Sequence, residues 1–361
     1  MNQELVTSLQ KIEGVLNTYL PSQPNSDWFS LSFGAIDSCV TKTHISNLLD
    51  PCQNLLSLGG KRWRPLLLVL YAEGIATSKN LSDAQRATAI ERAYNLTPLV
   101  EFAHTASLIH DDIEDSADMR RGKPAAHITF GLDVALNAAS WLYFEGTTCI
   151  KNLHASDSEK TALYELFLTE LRRLHLGQAM DILWHRNPQM IPTVQEYTAM
   201  VRNKTGTLSR LAVKIGAFCG GASSSEIERA GEIAQDIGTG FQIIDDVINL
   251  TTGNPGKKRG DDIVEGKKSL PVLIHLEKSP NDAKKLSELF KKARSEGIES
   301  PAVEEAIAVL SKSGAIEEAK ARGNHIISSN SADLISLFKG GASNSALLLT
   351  ELFDSLLGKT K

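Results

Sequence analysis

Two acidic clusters, each set inside an apolar run with helical spacing, constrain this chain more than any other feature. The first spans residues 106–115 (Ala-Ser-Leu-Ile-His-Asp-Asp-Ile-Glu-Asp) and the second spans 241–249 (Phe-Gln-Ile-Ile-Asp-Asp-Val-Ile-Asn). Residues four apart on a helix share a face at about 5–6 Å, so Asp111 and Asp115 lie together, with Asp112 rotated by about 100°. Carboxylates among apolar neighbours are costly to bury without a counter-charge. The same neighbours disfavour the alternative, a solvated acidic face.

Hard divalent cations are the natural counter-charge for clustered carboxylates. Mg²⁺ is commonly held by a few carboxylates and completes its shell with phosphate oxygens. The candidate metal ligands are the aspartates of the two clusters, Asp111, Asp112, Asp115, Asp245 and Asp246. The sequence therefore predicts a magnesium site that faces a phosphorylated substrate.

Basic residues are concentrated in three short runs, at Lys61–Arg64, Arg120–Lys123 and Lys257–Arg259. A solvated surface is the ordinary explanation for any one such run. Three of them, in a chain that also carries two acidic clusters, indicate an anion site that faces the metal site. The net charge of −5 argues against a protein that binds nucleic acid through a broadly basic surface.

Helical periodicity dominates the chain. Apolar residues recur at helical spacing in the segments 66–75, 87–115, 133–153, 159–184, 194–217, 225–250, 269–278, 282–295, 302–321 and 343–357. Gly, Pro and Ser cluster at breaks between segments, and no alternating pattern of useful length predicts a strand. The pattern predicts an all-α fold, a single large helical bundle with a central cavity into which ligands project from facing helices.

The length and composition favour one domain. The chain has 361 residues, 42% of them hydrophobic, which is enough to bury a large core. An apolar stripe over residues 5–20 predicts an N-terminal helix, and a polar linker follows it. We expect a single domain over 1–361, with this helix and linker in 1–40 and a catalytic bundle in 41–361.

The cysteines and the apolar runs bear on location. Cys39, Cys52, Cys149 and Cys219 are far apart and include no Cys-x-x-Cys pair, which excludes a zinc knuckle and favours a reducing cytosol. No apolar run approaches the length of about 18 residues that a membrane span needs. The N-terminus also lacks a basic region followed by an apolar stretch. We therefore expect a soluble, cytoplasmic protein without a membrane span or a signal peptide.

Seven blocks of sequence, in order, resemble the trans-type isoprenyl (polyprenyl) diphosphate synthases. The two acidic clusters are similar to the two aspartate-rich motifs of that family. The other blocks are Gly-Gly-Lys-Arg-Trp-Arg-Pro (59–65), Arg-Arg-Gly (120–122), His-Leu-Gly-Gln with Asp181 (175–181), Lys-Thr-Gly (204–206), and the segments 256–262 and 265–271 taken together. The resemblance covers the heart of the chain, from about residue 59 to 271.

The resemblance implies a fold and a reaction. It implies the isoprenoid-synthase type of helical bundle and a prenyltransferase that condenses isopentenyl diphosphate head to tail with an allylic diphosphate and releases pyrophosphate. It also implies a homodimer and about three Mg²⁺ ions, which would act as Lewis acids and charge clamps. We expect Asp111, Asp115 and Asp245 to bind metal directly. Asp112 and Asp246 would hold metal-bound water or orient basic residues.

The resemblance also assigns the substrate-binding residues. The allylic diphosphate would be held by Arg120, Lys204 and Lys267, with Lys257. The diphosphate of isopentenyl diphosphate would be held by Lys61, Arg64, His104 and Arg121. Arginine suits this task because its planar fork matches phosphate oxygens. Thr205, Gln242 and backbone carbonyls near Lys204 would stabilise the allylic cation.

Two features distinguish this chain within the resemblance. Asn249 stands where the second motif often has a third Asp, so we expect weaker metal binding with activity retained. Ala106 and Ser107, one turn before Asp111, are small, and a bulky aromatic residue here would ordinarily accompany a farnesyl product. The chain therefore favours a geranylgeranyl or longer product.

Two alternatives remain open from the sequence. A helical terpene cyclase uses the same metal chemistry, but it needs no site for a second diphosphate, which the segment 59–65 would supply. A non-catalytic regulatory subunit of a hetero-oligomeric prenyl synthase is compatible with Asn249. The intact first cluster and the basic residues argue against it.

Overall fold

The prediction of an all-α fold is confirmed. The computed structural model describes residues 2–253, 258–338 and 344–358, and regular structure there is almost entirely helical. The exception within these ranges is a short antiparallel hairpin of β1 (Met119–Arg120) and β2 (Lys123–Pro124), directly after the first acidic cluster. The hairpin turns the chain back so that the side chain of Arg120 reaches the cluster.

The N-terminal part of the chain forms nine helices within the described residues. They are α1 (Gln3–Tyr19), α2 (Ser26–Phe33), α3 (Lys42–Ser57), α4 (Trp63–Ser78), α5 (Asp83–Asn95), α6 (Thr97–Glu114), α7 (Ala126–Phe130), α8 (Leu132–Glu145) and α9 (Thr148–Lys151). The predicted linker after α1 in fact contains α2, whose first turn is capped by the Asn25 side chain. The single helix predicted over 87–115 is two helices, because Pro98 belongs in a first turn, where no backbone N–H is needed.

The middle of the chain carries the longest helices. They are α10 (Asp157–Arg186), α11 (Val194–Val201), a π-turn (Arg202–Gly206), α12 (Thr207–Cys219), α13 (Ser224–Thr251), α14 (Asp261–Glu265) and α15 (Leu270–Lys278). Capping boxes begin the helices α10, α11 and α13. In each box a Ser or Thr pairs with a Glu three residues later, which satisfies backbone N–H groups that would otherwise lack partners.

The C-terminal part adds a 3₁₀ turn (Pro280–Asp282), α16 (Ala283–Glu296), α17 (Pro301–Lys312), α18 (Ala315–Ser336) and α19 (Asn344–Leu356). The predicted helix over 302–321 is broken at Gly314, which has a φ of 71°. Helix α18 continues well beyond residue 321 through a Ser- and Asn-rich stretch. Its buried face there consists of Gly323, Ile327, Ser331 and Leu334.

The core is built around α4, α12, α13 and α18, which pack against one another in that order. Residues 66–72 of helix α4 are apolar on all sides, as expected of a helix surrounded by others, and each is at most 2% exposed. Close approach of α12 to α4 requires Gly216, since a Cβ there would lie 2.5 Å from the carbonyl oxygen of Leu68. Within the described ranges, no helix is both long and apolar enough to span a membrane.

The four cysteines are unpaired. Cys52, Cys149 and Cys219 are buried, whereas Cys39 is exposed in the segment between α2 and α3. Burial raises the pKa of all three buried thiols, that of Cys219 to about 12.

Candidate active site

A cavity of about 1150 Å³ lies between the two acidic clusters, with α6 carrying the first cluster and α13 the second. The structure brings most of the predicted site residues to its wall: Lys61, Arg64, His104, Asp111, Arg120, Arg121, Lys204, Thr205, Gln242, Asp245, Asp246 and Lys267. The predicted residue Lys257 falls outside the described residues. Apolar side chains complete the wall, among them Leu108, Tyr143, Leu174, Met200, Leu208 and Phe241. The cavity thus combines a charged wall with an apolar one.

Asp111 is the aspartate of the first cluster that lines the cavity, and Glu114 of the same cluster lines it too. Its Oδ1 accepts a hydrogen bond from Lys204 Nζ at 3.0 Å, and Arg120 lies 3.6 Å from its Oδ2. Burial raises the pKa of Asp111, but Lys204, Lys267 and Arg120 outweigh burial and hold this pKa well below its usual range. Asp111 therefore stays ionised at any physiological pH.

Asp112 and Asp115 lie behind the cavity wall. Asp112 is 1% exposed, and its Oδ1 accepts a hydrogen bond from Arg120 Nε at 2.8 Å. The Asp115 side chain is 3% exposed and lies 3.2 Å from Lys267 Nζ. Burial raises the pKa of Asp115, with Lys267 opposing the rise. Each of these two aspartates is thus paired with a basic residue that lines the cavity, and the prediction that Asp115 binds metal directly stays a prediction.

Asp245 and Asp246 face the cavity from α13. Asp246 accepts hydrogen bonds from the hydroxyl of Tyr197 at 2.7 Å and from Gln242 Nε2 at 2.8 Å. Burial raises the pKa of Asp246 to about 6, although both hydrogen bonds lower it. Asn249, in place of a third aspartate, is 2% exposed, and its amide oxygen accepts the backbone N–H of Asp262 at 3.2 Å. Asn249 therefore fixes the backbone at the start of α14.

The π-turn between α11 and α12 carries two polar groups into the cavity. Lys204 Nζ donates to Asp181 Oδ2 at 2.6 Å as well as to Asp111, and the Thr205 hydroxyl donates to Gln242 Oε1 at 2.9 Å. Turns with this wider hydrogen bonding are frequent at functional sites. Helix α10 packs directly on this turn at Gly177, where a Cβ would lie 2.2 Å from the backbone nitrogen of Lys204.

The Gly-Gly-Lys-Arg segment forms a tight loop at the start of α4, and Gly59 has a φ of 72°. Arg121 closes the loop from the hairpin by donating to the carbonyl oxygen of Gly59. The Arg64 guanidinium lies over the Trp63 ring, 4.5 Å from its centroid. Burial lowers the pKa of Arg64 to about 10, so this side chain is still charged at neutral pH. Burial and the neighbouring arginines lower the pKa of His104 well below its usual value, so its imidazole is neutral.

Two residues of this constellation were not assigned roles from the sequence. Asp181 was noted within a motif, and its position among Met180, Ile182 and Leu183 is the same signal that marked the two clusters. Tyr197 gave no sequence signal, because a tyrosine in an apolar run is an ordinary core residue. It is 1% exposed, with its hydroxyl directed at Asp246.

Comparison with known proteins agrees with the geometry. A family model described as polyprenyl synthetase matches residues 45–308. A geranylgeranyl pyrophosphate synthase of Neocamarosporium betae is 32% identical over 321 residues, which are 85% of this chain and 85% of that protein. A geranylgeranyl diphosphate synthase of Methanosarcina mazei is 34% identical over 246 residues, 68% of this chain and 72% of that protein.

Solved structures share the fold. The geranylgeranyl pyrophosphate synthetase from Pyrococcus horikoshii superposes with a TM-score of 0.79 at 24% identity, over 98% of this chain and 97% of that one. This likeness confirms the isoprenoid-synthase type of bundle. Because the family model covers most of the sequence and the relatives align over most of their own length, the chain belongs to the polyprenyl synthetase family of prenyltransferases.

Proposed function

We propose that this enzyme condenses isopentenyl diphosphate with an allylic diphosphate in a Mg²⁺-dependent reaction and releases pyrophosphate. The observation that carries the proposal is the composition of the wall of one cavity, to which both acidic clusters contribute. Acidic residues of both clusters and basic residues of four separate segments line the same cavity, next to an apolar surface. Two diphosphates with hydrocarbon tails need this combination of groups.

The donor set fits magnesium. Asp111 from α6 and Asp245 from α13, both predicted as direct ligands, supply hard oxygen atoms from the two sides of the cavity, with phosphate-binding side chains beside them. Asp246 also lines the cavity, whereas Asp115, the third predicted direct ligand, is paired with Lys267. Among the described residues, no three acidic, histidine or cysteine side chains already form a compact metal-ligand group. Lysine and arginine lie between the acids instead. When bound, Mg²⁺ neutralises the leaving diphosphate.

The residues around the allylic diphosphate have distinct roles in this proposal. Lys204, Lys267 and Arg120 bind its phosphate oxygens. The hydrogen-bonded pair of Thr205 and Gln242 presents fixed dipoles to the allylic cation, which such dipoles stabilise without reorganising. The apolar wall excludes water that would quench the cation. Pyrophosphate takes the final proton.

In this proposal the second diphosphate, that of isopentenyl diphosphate, binds to a separate group of basic residues. Lys61, Arg64 and Arg121 hold the phosphate oxygens of isopentenyl diphosphate, and neutral His104 donates a hydrogen bond. A terpene cyclase has no use for this second basic group, and the relatives named above are synthases. Neither the cyclase nor the regulatory-subunit alternative is therefore favoured.

The test is an assay of the purified protein with Mg²⁺, radiolabelled isopentenyl diphosphate and, in turn, dimethylallyl, geranyl and farnesyl diphosphate. We expect label to appear in longer prenyl diphosphates on chromatography, and excess chelator to stop its incorporation. Incorporation that continues in excess chelator would refute the metal-dependent mechanism. No incorporation with any primer would refute the proposed reaction.

Product length is predicted to respond to Ser107. Ser107 lines the cavity, whereas Ala106 is fully buried in helix packing, so Ser107 is the position at which a larger side chain would block a growing tail. We expect Ser107→Phe to shorten the product toward fifteen carbons, because an aromatic ring in a close-packed wall cannot yield. Chromatography of the products measures the shift, with Ser107→Thr as the matched control. An unchanged product from Ser107→Phe would show that the growing tail does not pass Ser107 in the cavity.

We also propose that the enzyme is a cytoplasmic homodimer. Large apolar side chains of α8 and α10 are exposed, namely Leu132, Leu136, Phe144, Leu168, Leu176 and Leu183. Those of α10 are seven or eight residues apart, which places them on one helix face. We expect Leu176→Glu to give a monomer in light scattering, whereas Leu347→Glu on α19, also exposed, leaves the dimer intact. A wild-type mass near 39.2 kDa would contradict the dimer.

A further inference from the structure

The N-terminal helix α1 lies outside the segment that matches the family model, which begins at residue 45, yet it contacts the proposed isopentenyl diphosphate site. The contact is an ion pair between Glu13 of α1 and Arg62, a residue that stands between the proposed ligands Lys61 and Arg64. Glu13 Oε1 accepts a hydrogen bond from Arg62 Nε at 2.7 Å. A helix with no motif of its own therefore contacts residues 59–62, the loop before α4, which we call the substrate loop.

Arg62 is an unusual residue for its position. It has a φ of 44°, a left-handed conformation that is unfavourable for a residue with a side chain, and it is 4% exposed. Its guanidinium is held on three sides by Glu13, by Glu101 Oε1 at 2.6 Å and by the carbonyl oxygen of Leu56 at 2.6 Å. These three hydrogen bonds hold the Arg62 side chain in one conformation, and so they fix the backbone from which Lys61 and Arg64 project.

Glu101 connects the same contact to the other basic residues of the site. It is 2% exposed on α6. Burial raises the pKa of Glu101, and Arg62, Arg64 and Arg121 all oppose this rise. One buried carboxylate thus faces three guanidinium groups, and Glu13 supplies the second negative charge. Without Glu13, Glu101 would be the one carboxylate of the described residues that neutralises Arg62. Its negative charge would then compensate the positive charges of Arg64 and Arg121 less.

We propose that Glu13 is a positioning residue for isopentenyl diphosphate, acting through Arg62 on the loop that presents Lys61 and Arg64. The inference rests on the proposed function in that the ligand of this loop is isopentenyl diphosphate. It extends that function to α1, which holds the substrate loop in its binding conformation. Glu13 itself does not touch the substrate.

The test compares Glu13→Gln and Glu13→Lys with the matched pair Glu4→Gln and Glu4→Lys. Glu4 lies on the same helix but contacts Asn344, far from the loop in sequence. We expect Glu13→Gln to raise the KM for isopentenyl diphosphate about fivefold, and Glu13→Lys to raise it more than about tenfold. The kcat and the KM for the allylic substrate should stay within about twofold. The Glu4 variants should match the wild type.

Either of two results would overturn the inference. One is an unchanged KM for isopentenyl diphosphate in Glu13→Lys. The other is an equal loss for both substrates that follows a lower melting temperature, since α1 would then only stabilise the bundle. Calorimetric binding of isopentenyl diphosphate to the same variants separates this inference from the proposed function. A wild type that binds isopentenyl diphosphate without turning it over refutes the reaction but still tests Glu13, and a wild type that does not bind it refutes both.

Discussion

Asp111→Asn is expected to lower the rate of condensation at least about a thousandfold, equivalent to about 4 kcal/mol of lost transition-state stabilisation. Asp111 faces the cavity and accepts hydrogen bonds from Lys204 at 3.0 Å and from Gln178 at 3.2 Å. Removing its charge eliminates a proposed metal ligand and leaves Lys204 with Asp181 as its remaining carboxylate partner in the described site. Single-turnover kinetics at saturating substrate and Mg²⁺ measures the effect on chemistry apart from product release.

The matched control for this substitution is Asp83→Asn. The Asp83 side chain is 96% exposed on α5 and pairs with Arg86 one turn away. The same chemical change there should leave turnover unchanged. An Asp111→Asn enzyme that retains more than about a tenth of the wild-type rate would exclude Asp111 from the reacting centre, because such a loss corresponds to no more than about 1.4 kcal/mol.

Gly177→Ala is expected to reduce turnover at least about a hundredfold, or about 3 kcal/mol, without altering any polar side chain of the site. A Cβ at this position would lie 2.2 Å from the backbone nitrogen of Lys204 and 2.7 Å from its Cα. Because both neighbours are backbone atoms, the π-turn itself must move, and Lys204 and Thr205 move with it. The melting temperature should fall too, because the clash pushes α10 away from the π-turn against which it packs.

Gly14→Ala is the control for the glycine substitution. Gly14 is in the interior of α1, and a Cβ there meets no atom within 4 Å apart from the adjacent residues and backbone of its own helix. Alanine is favoured over glycine in a helix by about 1 kcal/mol, so this variant should be as stable as the wild type or slightly more stable. Wild-type kinetics in Gly177→Ala, with an unchanged melting temperature, would show that α10 and the π-turn are not in tight contact.

The helical fold and the wall of the cavity were predictable from local patterns. Acidic residues among Leu, Ile and Val are rare enough that Asp111 and Asp245 could be identified without knowing the packing. The rotation of Asp112 away from Asp111 was predictable from helical spacing, but the positions of Asp115 and Asp246 relative to the cavity were not. Helical spacing pairs Asp115 with Asp111, yet the Asp115 side chain is 3% exposed and lies 3.2 Å from Lys267 Nζ, a contact with a distant part of the chain that local spacing cannot predict.

Long-range contacts explain what the sequence left out. The hydroxyl of Tyr197 reaches Asp246 on another helix, and Glu13 reaches Arg62 across 49 positions of the chain. Neither partner carries a local pattern, since each looks like an ordinary member of its own helix. The later part of α18 was overlooked for a different reason. Its serines and asparagines are poor helix formers, and packing against α13 overrides that preference.

The burial of three of the four cysteines makes the natural chain suitable for labelling at a single position. Thiols react as thiolates, and the raised pKa values of Cys52, Cys149 and Cys219 keep these groups protonated at neutral pH, while packing shields them from reagents. A maleimide dye should therefore attach to Cys39 alone. Because Cys39 lies between α2 and α3, that dye would report on the environment of the N-terminal segment with no engineered residue.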